Sequence, residues 1–282
     1  MIDAEKARFP IGLMCAELGV SRSGYYAWRR RMRPCARRRS DVALGEQIER
    51  IFERSRRRYG SPRIYQQLRR EGVFVGRKRV ERLMRERGLW ARKARRYRVT
   101  TDSNHSFPVA PNRLERNFRA DRPDQVWVGD ITYIDTRTGW AYLAILLDLH
   151  TRRVVGWSMA SHMKTSLVEQ ALLHALGSRK PEPGMMHHTD RGTQYASERY
   201  QRALKDAGMT VSMSRAGNCL DNAVAESFFG TLKQELVHDS NWRDLDEARR
   251  EVHAYIESVY NTQRLHSSLG YRTPAEVDEA AA

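Results

Sequence analysis

Three acidic side chains stand inside segments whose apolar texture would normally exclude them. Asp130 interrupts Val126, Trp127, Val128 and Ile131, a run with strand composition. Asp190 closes MMHHTD and is followed by Arg191 and Gly192. Glu226 falls within DNAVAESFFGTLKQELV, an amphipathic stretch beginning near Asp221. A charge in such surroundings is costly unless a counter-ion meets it. Three carboxylates brought together would suit Mg²⁺, a hard ion that seeks oxygen. Two such ions about 3.5–4 Å apart can clamp an in-line displacement at phosphorus. One activates the attacking water or hydroxyl, and the other stabilises the leaving 3′ oxygen, so no protein nucleophile is needed. Taken singly, any one of these acids also reads as a helix cap or an arginine partner, Glu226 more readily than Asp130.

Elements from the right parts of the chain must carry these acids to one place. VWVGDITYI is rich in β-branched and aromatic residues and predicts a strand. Thr136-Arg137-Thr138-Gly139 then predicts a hairpin turn, WAYLAILLDLH a second strand and VVGWSMA a third. TSLVEQALLHALGS predicts a helix capped by Thr165 or Ser166. It is followed by the short strand MMHHTD, the helix SERYQRALKDAG ending at Gly208, and the strand MTVSMS. DNAVAESFFGTLKQELV and DLDEARREVHAYIESVYN predict two closing helices. Opening hairpins with later crossovers give an α/β fold, a mixed five-stranded sheet with helices on both faces. A strand centre, a strand end and a helix can converge at one sheet edge, where ligands of such folds sit.

The part before this sheet has a different character. Residues 11–31 read as helix, glycine turn and helix, with Ser21 as the second cap, a helix-turn-helix pattern. Residues 34–40 suggest a basic linker. In 41–99, Leu44, Ile48, Ile51 and Phe52 recur at helical spacing, and Gly60-Ser61-Pro62 opens a helix with Ser as cap. GRKRVERLMRERGLW makes another whose polar positions are mostly arginine. Arg63, Arg77, Lys78 and Arg79 are the candidate DNA contacts of this block, weighed against a merely solubilising face. The expected organisation is a helical, Arg-rich DNA-binding region over 1–99 and a linker over 100–122. A catalytic core over 123–240 follows, then a C-terminal helix and tail packing on it over 241–282.

Charge supports that division. The chain of 282 residues carries 50 Lys+Arg against 34 Asp+Glu, a net +16. Residues 1–120 hold 32 basic and 12 acidic side chains, and the remainder 18 and 22. A cationic third ahead of a nearly neutral body points to a polyanion partner, with nucleic acid the first choice because phosphate neutralisation releases counterions. Three scattered cysteines without a CxxC pair suggest no zinc site and a reducing compartment. MIDAEKARFP lacks a signal-peptide apolar run, and the longest apolar stretch is too short to span a bilayer. The expected setting is therefore the cytoplasm, with no membrane partner.

From about Asp41 to Glu276 the chain resembles the OrfB catalytic subunit of the IS-three-type insertion-sequence transposases, relatives of retroviral integrases. The resemblance rests on VWVGDITYI, LDLHTRRVVGW, HTDRGTQY, DNAVAESFFGTLKQEL and YNTQRLHSSLGYRTPAE. Thirty-five residues separate Asp190 from Glu226, the spacing of that DDE class. Lys233 follows Glu226 by seven residues, about two helical turns, so the two share a helix face. The resemblance implies a ribonuclease-H-like core, with Asp130, Asp190 and Glu226 as catalytic metal ligands and Lys233 at the transposon end. It implies two Mg²⁺ ions, Mn²⁺ substituting, and strand transfer through a free 3′-OH. The implied partners are double-stranded DNA (terminal inverted repeats and target), further copies of the chain on that DNA, and an upstream-frame OrfA protein or fusion. The implied setting is a bacterial, nucleoid-associated one. A catalytically silent DNA-binding regulator and a plain nuclease are the competing readings.

Other polar residues carry less. His187 and His188 alternate across a strand and read as packing or supporting residues. Asp148 falls where the family also has an acid and could orient a ligand. Asp221 and Asn222 suit caps of the catalytic helix, with DNA contact as the alternative. Gly192 and Gln194 follow Asp190 in a turn that could approach phosphate. Tyr260, Asn261, Arg264 and His266 form either a phosphate clamp or a packing motif. Trp127, Trp140 and Trp157 read as core.

Overall fold

The computed structural model describes residues 1–32, 36–91, 107–216 and 218–281. The chain divides into two compact units, Met1–Ala91 and Arg92–Ala282.

The first unit is helical. It holds α1 (Ile2–Glu5), α2 (Ile11–Glu17), α3 (Arg22–Met32), α4 (Ala36–Arg54), α5 (Ser61–Arg70) and α6 (Arg77–Glu86). The turn after α2 places Gly19 at φ 64°, a left-handed position that suits glycine. Ser21 Oγ then accepts the Gly24 amide at 3.0 Å, capping α3 as its position suggested. Leu44, Ile48, Ile51 and Phe52 of α4 are buried, as are Ile64 and Leu68 of α5 and Val80, Leu83 and Met84 of α6. Ion pairs tie the same helices together: Asp41 takes Arg79 and Arg82, and Glu71 takes Arg50 and Arg54. Two local expectations shift. The basic stretch 34–40 is not a linker from Ala36 onward but the first turns of α4, while residues 33–35 lie outside those described. Gly60, not Ser61, occupies the N-cap of α5, so Pro62 falls one position later than expected.

The second unit is built on a five-stranded sheet. Its strands are β1 (Val126–Thr136), β2 (Gly139–Asp148), β3 (Val154–Ala160), β4 (Met186–Thr189) and β5 (Thr210–Met213), in the order β3-β2-β1-β4-β5. β1, β2 and β3 pair antiparallel through short turns. β4 and β5 join parallel to β1, because helices intervene in the chain and return it to the same end. α7 (Thr165–Ser178), α8 (Thr193–Ala196) and α9 (Glu198–Asp206) come from these crossovers, and α10 (Ala223–Glu235), α11 (Leu245–Tyr255) and α12 (Pro274–Glu279) close the chain. Alternation along β1 splits the core in two. Val126, Val128 and Ile134 join Phe228, Phe229, Leu232, Val252 and Tyr255 from α10 and α11. Trp127 joins Leu167, Ala171 and Ala175 of α7 and Tyr195, Tyr200 and Leu204 of α8 and α9. The sheet is thus sandwiched, which is the mixed α/β architecture expected.

Several expectations are corrected. The N-cap of α7 is Lys164 without a side-chain bond, not Thr165 or Ser166. The last long helix stops at Tyr255 and is followed by a π-helical turn, Ile256–Tyr260. Residues 100–122 are described only from 107 onward. There they run irregularly but do not behave as a free linker. Leu114 is buried in the core, and the amides of Arg113 and Leu114 donate to Ser212 Oγ at 2.9 and 3.3 Å. Trp140 is 53% exposed rather than core, since it opens β2 at the hairpin tip, whereas Trp127 is fully buried and Trp157 partly so.

Candidate active site

The register of the sheet carries Asp130 to Asp190. β1 and β4 pair as Val128↔His188, and continuing that register by two residues sets Asp130 level with Asp190, just past the end of β4. Adjacent strands lie about 4.8 Å apart, so the two carboxylates face one small volume. Gly129, beside Asp130, permits this packing. A Cβ there would come within 2.9 Å of the His187 ring, which is buried and cannot retreat. Both acids are partly exposed. Asp130 Oδ1 accepts the Ile131 amide at 2.8 Å, and Asp190 Oδ1 accepts the Gly192 amide at 2.9 Å.

The third acid arrives on α10. Asn222, at the start of this helix, donates from Nδ2 to the Gly129 carbonyl at 3.1 Å. Glu226 follows one helical turn later, and residues four apart share a face. The bond from Asn222 to Gly129 therefore aims Glu226 at the same part of β1 that holds Asp130. Lys233, two further turns along, places Nζ 4.8 Å from the centre of the Tyr133 ring.

Electrostatics report the convergence. Asp130 has its carboxyl held well above the usual value, first by burial and then by the negative charges of Asp190 and Glu226, with Lys233 pulling the other way. Burial also raises Glu226, and burial lowers Lys233 against the opposing pull of Asp130. Among the described residues, no three His, Cys, Asp or Glu side chains stand close enough to enclose one ion together.

The other candidates separate clearly. Asp221 does not cap α10. It is fully buried and takes Asn112 Nδ2, Arg116 Nε, the Arg215 amide and two bonds from the Arg215 guanidinium, at 2.7–3.0 Å. Those arginine hydrogen bonds hold its carboxyl far below the usual range. Asn222 stands at the N-cap of α10, but its side chain bonds to Gly129 rather than to the helix amides. Asp148 turns away from the site. It accepts from the Asp124 amide at 2.7 Å and from the Thr151 amide and hydroxyl at 2.7 and 2.9 Å, which fixes the turn after β2. Arg264 is buried, with Nε donating to Glu235 Oε1 at 3.0 Å, and His266 packs edge-on against Tyr260 at 4.9 Å. This is packing, not a surface clamp. Gln194 donates to the Met163 carbonyl. His187 and His188 point to opposite faces. His187 lies against Tyr200 Oη at 2.9 Å and His188 Nδ1 against Ser212 Oγ at 2.8 Å, and burial pushes them down to about 3 and about 4.

In the first unit, Arg77 and Lys78 are exposed at the start of α6 and Arg63 stacks over Tyr59 at 5.8 Å. Arg79 is instead engaged with Asp41 and with Ser40 Oγ, the latter at 2.9 Å. Sequence reasoning missed the clasp around Asp221, whose partners Asn112 and Arg116 are more than 100 residues away, while Arg215 reaches it from six residues upstream. It also missed that Trp140, read as core, is exposed and packs edge-on against Tyr133.

A sheet of this order, with acids at the centre of β1, after β4 and on α10, defines an integrase-type polynucleotidyl transferase core. Residues 120–219 and 207–274 each match the integrase core domain family, and residues 39–97 match the HTH-like domain family. The HTH-like match falls on α4–α6 rather than on the 11–31 hairpin. The chain is 44% identical to the insertion element IS600 uncharacterized 31 kDa protein of Shigella sonnei, over 94% of this chain and 97% of that one. It is 41% identical to the transposase InsF for insertion sequence IS3A of Escherichia coli (strain K12), over 98% and 96%. The HTLV-2 integrase catalytic core domain in complex with magnesium aligns with TM-score 0.44 at 18% identity, covering 57% of this chain and 99% of that one. The chain belongs to the IS3 family of insertion-sequence transposases.

Proposed function

We propose that this transposase cuts DNA at the ends of its element and joins the freed 3′-OH to a new phosphodiester, with Asp130, Asp190 and Glu226 as its metal ligands. The observation that carries the reading is the mutual repulsion centred on Asp130, whose carboxyl is raised by burial and by the charges of Asp190 and Glu226. Cations relieve such repulsion, and an all-oxygen donor set fits Mg²⁺, or Mn²⁺ in its place. Asp130 and Asp190 would share one ion, and Glu226 would complete a second site. When bound, the pair supplies activation of the attacking oxygen and stabilisation of the leaving 3′ oxygen. The protein's part is positional. The Gly192 amide orients the Asp190 carboxylate, the Ile131 amide orients Asp130, and Asn222 fixes the start of α10 against β1. Lys233 offers a cation to a neighbouring phosphate of the element's end.

The DNA partners in this reading are the terminal inverted repeats and the target duplex, gripped in part by Arg63, Arg77 and Lys78. Chemistry at two ends calls for more than one copy on the DNA, and an upstream-frame OrfA protein or fusion supplies further end recognition. The test is nicking and strand transfer on a duplex carrying the terminal repeat. Both should require Mg²⁺ or Mn²⁺. Asp130→Asn, Asp190→Asn and Glu226→Gln should each lower them by more than roughly 100-fold, beyond the usual effect of residues that merely support a metal ligand. DNA affinity should stay close to that of the unaltered chain. Normal turnover in any of the three removes that residue from the site.

A further inference from the structure

Trp140 is the second residue of β2, at the hairpin tip, and is 53% exposed. Its ring is held against Tyr133, edge to face, at 5.1 Å and 87°. Tyr133 in turn lies 4.8 Å from Lys233 Nζ, and Lys233 feels the charge of Asp130. A continuous row therefore leads from the carboxylates through a cation to two aromatic rings. Cross-strand pairing sets Trp140 opposite Asp135, five residues beyond Asp130. That is about 17 Å along β1 at the usual strand rise, and the odd spacing turns Trp140 to the face that Tyr133 shares, opposite that of Asp130; about five nucleotides of stacked strand at 3.4 Å each span that length. Arg137, exposed at the same tip, adds a second cation.

We infer that the exposed face of Trp140 stacks an unpaired nucleobase of the DNA strand leading away from the reacting phosphate. This rests on reading the carboxylates as the site of that phosphate. A rigid aromatic face beside cations suits a base whose sugar carries phosphates on either side, and stacking tolerates any base. Bases within a duplex already stack on one another, so the face selects strand that is open or opened at the end. Tyr133 is the positioning residue: its contact fixes the Trp140 ring while its own ring carries Lys233. A second copy of the chain would also cover an apolar ring, but Lys233 beside Tyr133 and Arg137 at the tip outnumber the Asp135 carboxylate opposite Trp140 and favour a polyanion.

The experiment compares two duplexes bound by the full chain in EDTA, where no cleavage occurs. Both carry a five-nucleotide single-stranded extension, on the 5′ or the 3′ strand. In one the extension bears its bases, and in the other it is abasic with the phosphates kept. The unaltered chain should prefer the extension with bases on one of the two strands by about 5- to 100-fold, the span of one base–aromatic stack. Trp140→Ala should bring that ratio near one. Trp140→Leu, which keeps apolar bulk without a π-face, should do the same and decides the matter if the alanine variant fails to fold. Trp140→Phe should keep most of the preference. A ratio near one in the unaltered chain, or a ratio unchanged in Trp140→Leu, overturns the inference. So does an unchanged ratio together with a smaller DNA-free particle in Trp140→Ala, which would assign the face to a second copy. Binding without metal involves no chemistry, so normal nicking by the carboxylate variants bears on the proposed function alone.

Discussion

Asp130 is asked to ionise where burial and two neighbouring acids all oppose it. Its folded carboxyl lies above the ordinary 3.8, so the stability it lends is present below that value and is lost as pH rises through the raised one. At neutral pH without divalent ions the carboxylate is therefore a liability. Asp130→Asn should melt a few degrees higher than the unaltered chain in EDTA at pH 7, and the gap should shrink as pH falls towards 4. Mg²⁺ should raise the melting temperature of the unaltered chain but not of the variant, as calorimetry in both conditions would show. Asp221 has the opposite sign. Its folded carboxyl is held low by Arg215 and Arg116, so its contribution is present above the ordinary value and fades as pH falls through the lowered one. Both arginines are about half exposed, which weakens each pair. Asp221→Asn should cost about 1–2 kcal/mol in urea unfolding at pH 7, and much less below pH 2.

At the scale of elements, α10 does two jobs on two faces. Ala225, Phe228, Phe229 and Leu232 bury into the core, and Glu235 ends the helix in a buried pair with Arg264 and a 2.9 Å bond from Tyr255 Oη. The stripe Asn222, Glu226 and Lys233 faces the site. Helical spacing made the face shared by Glu226 and Lys233 legible in advance, because seven residues are close to two turns. The partner of Asn222 was not legible, because Gly129 is 93 residues away. The same holds for the pair Glu235 and Arg264, 29 residues apart, which turned a candidate clamp into packing.

Across the whole molecule, charge is concentrated in the first 120 residues, but not all of it is available to a ligand. Arg79 and Arg82 neutralise Asp41, whereas Arg77 and Lys78 are exposed. Replacing both Arg77 and Lys78 by alanine should weaken DNA binding and reduce the slope of log affinity against log salt by about 2, near one unit for each phosphate no longer neutralised. Arg79→Ala should instead lower thermal stability and leave that slope nearly unchanged. An equal fall of slope in Arg79→Ala would mean that the pair with Asp41 opens on DNA.

The order and type of the longer elements followed from the chain alone, since periodicity, turn residues and glycine stops are local and strong in 126–213; the short helix α8, where a turn was expected after Asp190, did not. The acids were also legible, because a charge within an apolar strand is conspicuous. What required tertiary structure was every relation fixed by distant partners. The parallel pairing of β1 with β4 levels Asp130 with Asp190. Asp148 and Asp221 serve turns and clasps, and Trp140 lies outside the core. Backbone pattern assigns a residue to a face of its own element, but whether that face is covered depends on where other elements end.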